Sequence, residues 1–157
     1  MDTWRERLGP LLSPAFRAWW RLRRSATLGV RALACDQAGR VLLVRHTYSP
    51  GWHFPGGGVE HGEIAAEALT RELAEEGGCA AAGAPLLLGV FANHANFKND
   101  HILLYRVEGW TPCAHLANNE IAERGFFARE ALPCGTTKGT RRRLAEIFEG
   151  APISGAW

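Results

Sequence analysis

The sequence lacks the features that mark membrane-spanning, secreted and zinc-binding proteins. Its apolar runs stay well below the ~20 residues that a membrane helix needs, and its first residues lack the basic-then-apolar order of a secretory signal. The four cysteines, Cys35, Cys79, Cys113 and Cys134, form no CxxC pair and no Cys/His cluster. We therefore expect a cytoplasmic protein with free thiols, without a zinc site and without stable membrane insertion.

Internal repeats, low-complexity tracts and interdomain linkers are also missing, and 157 residues are enough for one well-buried domain. The net charge of +2 is distributed unevenly, because residues 1–24 contain six arginines and only two acidic residues. The basic character therefore belongs to the start of the chain. We predict a basic, aromatic helical leader at residues 1–25 and a folded domain at residues 26–157.

The leader is predicted to be helical from its start signal and its spacing. Ser13 followed by Pro14 is typical of a helix start, and Phe16, Trp19 and Trp20 then recur at helical intervals. Its arginines suit a membrane surface or an RNA backbone. The alternative is that the tryptophans pack on the domain or on a second copy of the chain in a homodimer.

The stretch from Gly57 to Cys79 carries the strongest local pattern. It opens with a glycine turn and ends at Gly77 and Gly78, which favour a helix stop. Between them, apolar residues recur at three- and four-residue spacings and predict a helix with one face in the core. The residues expected on that face are Ile64, Ala65, Ala68, Leu69 and Leu73.

Three glutamates, Glu72, Glu75 and Glu76, lie together near the end of this predicted helix. Like charges at such spacing repel by roughly 0.2–0.5 kcal/mol per pair, so the cluster is unfavourable alone. A hard divalent cation reverses the sign of this interaction, because it takes several oxygen ligands. The alternative is a solvated acidic face in which Arg71 pairs with Glu67.

The glycine run at residues 56–58 does not continue into the Gly-Lys-Ser/Thr sequence that defines a P-loop. Contact with phosphate through a metal ion is therefore favoured over direct cradling by the backbone. This is consistent with chemistry on a diphosphate, whose charge repels a water nucleophile until a cation neutralises it.

The full pattern resembles the Nudix box at every fixed position. It comprises Gly57, five residues, Glu63, seven residues and then the sequence RELAEEGGC at residues 71–79. The resemblance covers roughly residues 26–149 and implies an α/β fold, a Nudix-type α/β/α sandwich with a mixed sheet between helices. It also implies hydrolysis of a nucleoside diphosphate linked to another group, with Mg²⁺ or Mn²⁺ as the cofactor.

The resemblance further implies roles for individual residues. Glu72, Glu75 and Glu76 match metal ligands, one of which orients or deprotonates the attacking water, and Gly56 matches a residue whose backbone carbonyl binds the metal. Gly57, Glu63 and Arg71 match supporting residues that hold the loop against the helix. Glu120, or Glu123 as second choice, matches an acidic residue that supplies another ligand or the general base; the alternative for both is a loop hydrogen bond.

Outside the box, the sequence predicts strands near residues 27–35, 41–44, 85–91 and 102–107, with a hairpin turn at residues 36–39. A helix near residues 137–149 is expected to pack on the sheet, with its three arginines at residues 141–143 mainly solvated. Loops on either side of the box carry polar and aromatic groups suited to a nucleotide. The candidate substrate-binding residues are Arg45, Tyr48, His94 and Phe97.

The substrate is left open among several classes. Relatives that act on ADP-ribose or dinucleoside polyphosphates carry a proline or a tyrosine at places occupied here by His94, Ala95 and Asn96. These replacements weaken both assignments without excluding either, and nucleoside triphosphates, nucleotide sugars and, because of the basic leader, capped RNA are also plausible substrates. The alternative function is a non-catalytic Nudix-like module that binds a nucleotide or RNA; the complete acidic cluster argues against it.

Overall fold

The computed structural model describes Trp19, residues 25–114 and residues 119–157. Trp19 is helical and 50% exposed, and residues 1–18 and 20–24 of the predicted leader lie outside the described residues. No helix in the described part of the chain is long and apolar enough to cross a membrane.

Along these residues, three strands precede the first α-helix and five more lie between it and the second. The strands are β1 (Thr27–Ala34), β2 (Val41–His46), β3 (Trp52–His53), β4 (Cys79–Ala81), β5 (Leu86–Ala92), β6 (Asp100–Val107), β7 (Trp110–Pro112) and β8 (Ile121–Phe127). The α-helices are α1 (Ala65–Gly77) and α2 (Lys138–Phe148), and a 3-10 turn at Arg129–Ala131 lies between β8 and α2.

The strands form three small sheets. The first has the order β1-β6-β5 and is mixed, because β1 runs parallel to β6 while β5 runs antiparallel to it. The second has the order β3-β2-β8 and is antiparallel, and β4 pairs with β7 in the third. The predicted strands are confirmed, with ends that differ by a residue or two.

Strand β1 shows how the two helices come to lie on opposite sides of the mixed sheet. Successive side chains of a strand point to opposite faces. Val30 and Ala32 pack with Leu69 of α1 in one core cluster. Leu33 packs with Leu144 of α2 in the other. The predicted α/β class, with a mixed sheet between helices, is therefore confirmed.

Helix α1 ends as predicted but begins later than its apolar spacing suggests. Gly78 adopts a left-handed conformation (φ 64°), and its N–H donates to carbonyls of the last turn. Ile64 precedes the helix in an extended conformation and is 62% exposed, so its predicted place in the core is wrong. Leu69 and Leu73 are fully buried, as expected.

The prediction of solvated arginines in α2 is also wrong at one position. Arg143 is 0% exposed and forms an ion pair with Glu146 (Nη2 to Oε1, 2.6 Å). Its neighbours Arg141 and Arg142 are exposed, as expected. One of the three consecutive arginines of α2 is thus buried in the core.

Candidate active site

The glycine turn lies along β1 and brings backbone close to the carboxylates of α1. Hydrogen bonds from the N–H groups of Val30 and Ala32 to the carbonyls of Gly57 and Pro55 (2.9 and 2.8 Å) hold the turn in place. Gly56 has a φ of 145°, and a Cβ there would overlap the β1 backbone. A Cβ at Gly57 would overlap the Glu72 carboxylate, so glycine is what allows this approach.

Glu76 is the most enclosed of the three glutamates, with 3% of its surface exposed. Its Oε1 lies 2.7 Å from Nε2 of His46 on β2, and its Oε2 accepts a hydrogen bond from the Gly56 N–H at 2.8 Å. Both oxygens therefore have partners, as a buried carboxylate requires. These bonds tie α1, β2 and the glycine turn together at one point.

Arg71 connects the other two glutamates to the loop that precedes α1. Its guanidinium binds Glu63 through Nε and Nη2 (3.0 and 3.1 Å), and its Nη1 lies 2.7 Å from Oε1 of Glu72 and 3.4 Å from Oε2 of Glu75. Hydrogen bonding from Arg71 lowers the pKa of Glu63. Arg71 therefore forms ion pairs inside the cluster, whereas the solvated alternative expected a pair with Glu67.

Glu72 is electrostatically distinct from an exposed glutamate. Burial raises the pKa of its carboxyl group, the hydrogen bond from Arg71 opposes that rise, and the charges of Glu76 and Glu75 add to it. A bound cation would reduce the repulsion between these neighbouring carboxylates.

The donor set fits a hard divalent cation. The predicted ligands are all oxygen atoms, from three carboxylates and the Gly56 carbonyl, which suits Mg²⁺ or Mn²⁺ better than a soft metal. Guanidinium groups already contact these oxygens: Arg71 contacts Glu72 and Glu75, and Nη1 of Arg31 donates to the Gly56 carbonyl at 2.7 Å. Within residues 25–114 and 119–157, no three His, Cys, Asp or Glu side chains already surround a common point. A bound cation would therefore compete with both guanidinium groups.

Arg31 is the site residue that sequence analysis missed. Its Nη1 also donates to the Phe54 carbonyl (2.9 Å), and burial lowers the pKa of its guanidinium. The available signal was a single charged residue inside the otherwise apolar strand TLGVRALA. A charge at the centre of a buried strand needs local partners, and here backbone carbonyls near the glycine turn supply two of them.

A cavity of about 630 Å³ lies beside this turn, and Arg31 forms part of its wall. We call it the Arg31 cavity. Its other lining residues come from residues 49–53, the loop at residues 93–96, Ile102 of β6, residues 137–142 at the start of α2, and Trp157, and no carboxylate is among them. Burial lowers the pKa of His53 to about 4, so that its ring is neutral near pH 7. The cavity thus presents cationic, amide and aromatic groups.

A second cavity, of about 650 Å³, is lined by residues of the β1–β2 turn and of the β6–β7 connection. It contains none of the predicted site residues. Volume alone therefore does not identify the site, and the contacts of Arg31 favour the Arg31 cavity.

The four candidate substrate-binding residues lie in different places. Tyr48 is 70% exposed, and its ring centroid lies 5.1 Å from that of His46. Tyr48 therefore lies beside the histidine that bonds Glu76, and partial burial, with the charges of Glu76 and Glu120, raises the pKa of Tyr48. Arg45 is instead paired with Glu123 of β8 (2.8 Å).

The other two candidates, His94 and Phe97, are not among the residues that line the Arg31 cavity. The His94 ring packs on His101, with centroids 5.1 Å apart, and Phe97 is 66% exposed. Their neighbours Asn93 and Asn96 line the cavity instead. The substrate roles of His94 and Phe97 stay predictions.

Glu120 lies in an exposed turn directly before β8. Its backbone carbonyl accepts a hydrogen bond from the Thr47 N–H at 2.8 Å, which places it beside the end of β2. Glu123 is occupied by its ion pair with Arg45. The geometry therefore favours Glu120 over Glu123 as the additional acidic residue, whose catalytic role stays a prediction.

Comparison with known proteins agrees with this geometry. Residues 26–148 match the family model described as the NUDIX domain. A Bacillus subtilis (strain 168) protein with the provisional name 8-oxo-dGTP diphosphatase is 28% identical over 125 residues, which are 80% of this chain and 82% of that protein. An RNA pyrophosphohydrolase of Shewanella piezotolerans is 43% identical over 53 residues, but these are 34% of this chain and only 30% of that protein. The crystal structure of a MutT NUDIX hydrolase from Burkholderia pseudomallei superimposes with a TM-score of 0.67 at 27% identity, covering 78% of this chain and 98% of that one.

Proposed function

The chain belongs to the NUDIX family and is a Nudix-type hydrolase, and we propose that it cleaves the phosphoanhydride bond of a nucleoside diphosphate linked to another group. The proposed substrates are nucleoside triphosphates or nucleotide sugars, the cofactor is Mg²⁺ or Mn²⁺, and the reaction takes place in the cytoplasm. The observation that carries the proposal is the connection between the acidic cluster of α1 and a cavity of about 630 Å³: Gly56 donates its N–H to Glu76, and its carbonyl accepts from Arg31, which lines the cavity.

Substrate binding would use both sides of this connection. The cavity has the volume of a typical small-molecule site and holds the nucleoside, while the diphosphate lies at the glycine turn. Arg31 reaches both places and supplies a fixed positive charge for a phosphate oxygen. Tyr48 stands beside the cluster and is suited to contact the same group.

The acidic residues would hold the cation and handle the proton. Glu72, Glu75, Glu76 and the Gly56 carbonyl would hold a divalent cation, which neutralises phosphate charge and lowers the pKa of water. The oxygen of the attacking water forms a new bond to phosphorus, and the phosphoanhydride P–O bond breaks. The proton of the water passes to a carboxylate, for which Glu72, Glu75, Glu76 and Glu120 are the candidates.

The supporting residues would preserve this geometry. Arg71 bridges Glu63, Glu72 and Glu75, and His46 holds Glu76 in one orientation. A carboxylate fixed by such partners loses less freedom when it binds a cation or a proton. We therefore assign Gly57, Glu63 and Arg71 to positioning.

A hydrolysis screen tests the proposal. The full chain is assayed with Mg²⁺ and Mn²⁺ against nucleoside triphosphates, ADP-ribose, nucleotide sugars, dinucleoside polyphosphates and 5′-triphosphorylated RNA. The double substitution Glu75→Gln with Glu76→Gln should abolish metal-dependent turnover, while Glu67→Gln, on the exposed side of the same helix, should leave it unchanged. Turnover that survives the double substitution in a folded protein would overturn the metal site.

RNA is the second substrate class. It is supported by the basic leader and by the similarity, over a third of the chain, to proteins named as RNA pyrophosphohydrolases. The role of the leader in RNA contact or in a homodimer stays a proposal. If the chain binds nucleotides but hydrolyses none of the substrates in the screen, the result would instead favour a non-catalytic binding module.

A further inference from the structure

Residues 150–157, which we call the strap, follow α2 and lie outside the stretch matched by the family model. The strap joins the end of β5 through two backbone hydrogen bonds. The N–H of Ala92 donates to the Gly155 carbonyl at 2.8 Å, and the N–H of Trp157 donates to the Ala92 carbonyl at 2.9 Å. These bonds fix Trp157 beside the loop that carries Asn93 and Asn96.

Arg143 holds the strap from the other side. Its Nη1 donates to the Ser154 carbonyl and its Nη2 to the Ala156 carbonyl, each at 3.1 Å. Glu146 accepts from both Arg143 Nη2 and the Ser154 N–H (2.6 and 2.9 Å). The guanidinium also lies over the Phe91 ring, 3.8 Å from its centroid. The fully buried guanidinium of Arg143 therefore holds the strap in place.

The strap places the indole of Trp157 in the wall of the Arg31 cavity. One part of the ring packs on the core, with centroids 6.0 Å from Phe91 and 6.4 Å from Phe54. It also covers Gly139 of α2, where a Cβ would lie 2.5 Å from the indole Nε1. Trp157 is partly exposed, and both Trp157 and the Gly139 that its indole covers line the cavity.

We propose that Trp157 is a specificity-determining residue whose indole contacts the planar base of the bound nucleotide. The choice of a nucleotide as the ligand rests on the proposed function, whereas the position of the indole is taken from the structure. Aromatic side chains bind bases by stacking, and loss of such a contact weakens binding on the order of tenfold or more. The effect is larger for purines, because their rings cover more of the indole.

The strap is thus more than a cover for the core. A tryptophan that only packed on Phe54 and Phe91 would affect stability and would be indifferent to the ligand. A tryptophan that contacts the base affects ligands with a base and spares ligands without one. This difference separates the two roles.

The test is calorimetric binding of AMP and CMP, with ribose 5-phosphate as the ligand that has no base. The protein is the full chain, and none of the three ligands has a phosphoanhydride bond that the proposed reaction could cleave. Trp157→Ala should weaken AMP binding about tenfold or more and CMP binding less, and should leave ribose 5-phosphate unchanged. Trp157→Phe should recover most of the loss, and Ile153→Ala, at an 81% exposed position of the strap, should have no effect.

A second variant guards against misfolding of Trp157→Ala. Gly139→Ala displaces the indole without removing it, because the new Cβ has no space beside Nε1. It should produce the same selective loss of AMP binding in a protein that still unfolds in one cooperative thermal transition. Unchanged AMP binding in both variants, or equal losses for AMP and ribose 5-phosphate, would overturn the proposal.

The two proposals fail separately. Absence of hydrolysis in the wild-type chain, with AMP binding that still depends on Trp157, would reject the hydrolytic proposal and support this one. Normal hydrolysis with an unchanged KM for every nucleotide in Trp157→Ala would reject this one and leave the hydrolytic proposal standing.

Discussion

The two halves of the site are built in different ways. The acidic half comes from one continuous segment, from the glycine turn at Gly56 to Glu76, whose parts meet through local contacts. The Arg31 cavity draws its walls from β1, two loops, α2 and the strap, which are far apart in the chain. We propose that the first half carries out the reaction and that the second half selects the substrate.

The largest effect is expected from replacing Arg143, the buried residue that holds the strap in the cavity half. Arg143→Met leaves Glu146 buried without its cation, and should lower the free energy of unfolding by about 3–5 kcal/mol. Urea denaturation measures this loss. The matched change Arg141→Met, at an exposed position of the same helix, should cost less than about 1 kcal/mol. Equal losses of unfolding free energy in the two variants would show that the buried ion pair of Arg143 contributes no more to stability than an exposed arginine.

Arg31 joins the two halves, and its replacement should impair both. Arg31→Met removes the charge beside the Gly56 carbonyl and should lower kcat/KM by about 10- to 100-fold, corresponding to one charged hydrogen bond. Steady-state kinetics on the best substrate of the screen measures this. Arg40→Met, which removes a cation from the distant β1–β2 turn, is the control and should leave kcat/KM unchanged. Equal effects of the two substitutions would contradict the assignment of Arg31.

His53 predicts a smaller, pH-dependent effect in the cavity half. Burial lowers its pKa from 6.5 to about 4, so the unfolded chain binds the proton more readily between these values. Stability from the neutral ring is fully present above pH 6.5 and is lost as the pH falls toward 4. Because the ring is partly solvated, we expect a contribution on the order of 1 kcal/mol. Urea denaturation of the metal-free wild type and His53→Asn across this range measures it, and parallel pH profiles would refute it.

The comparison also explains which parts of the structure the sequence could predict. The helix α1, the order of its glutamates and the Gly78 stop depend on neighbours in the chain, and all were predicted. The strands β3, β4 and β7 span only two or three residues, which is too short to show a period-2 pattern, and none was predicted. Local information therefore describes the acidic half well.

The cavity half depends on partners that are distant in sequence. Arg143 belongs to a run of three arginines and was expected in solvent, because nothing local indicates that the strap supplies carbonyls to it. Trp157 acquires its place through Ala92, more than sixty residues earlier. Arg31 left a weak signal, a charge within an apolar strand, whose meaning depends on the glycine turn.

The most direct test of the central claim is Mn²⁺ binding to the metal-free chain, measured by calorimetry beside hydrolysis. The account predicts saturable binding to the wild type and to Glu67→Gln, with both binding and turnover lost in Glu75→Gln combined with Glu76→Gln. General acid–base and metal contributions of this kind correspond to losses of about 10²- to 10⁴-fold in rate. Unchanged Mn²⁺ binding and turnover in the folded double variant would contradict the assignment of the reaction to the acidic half.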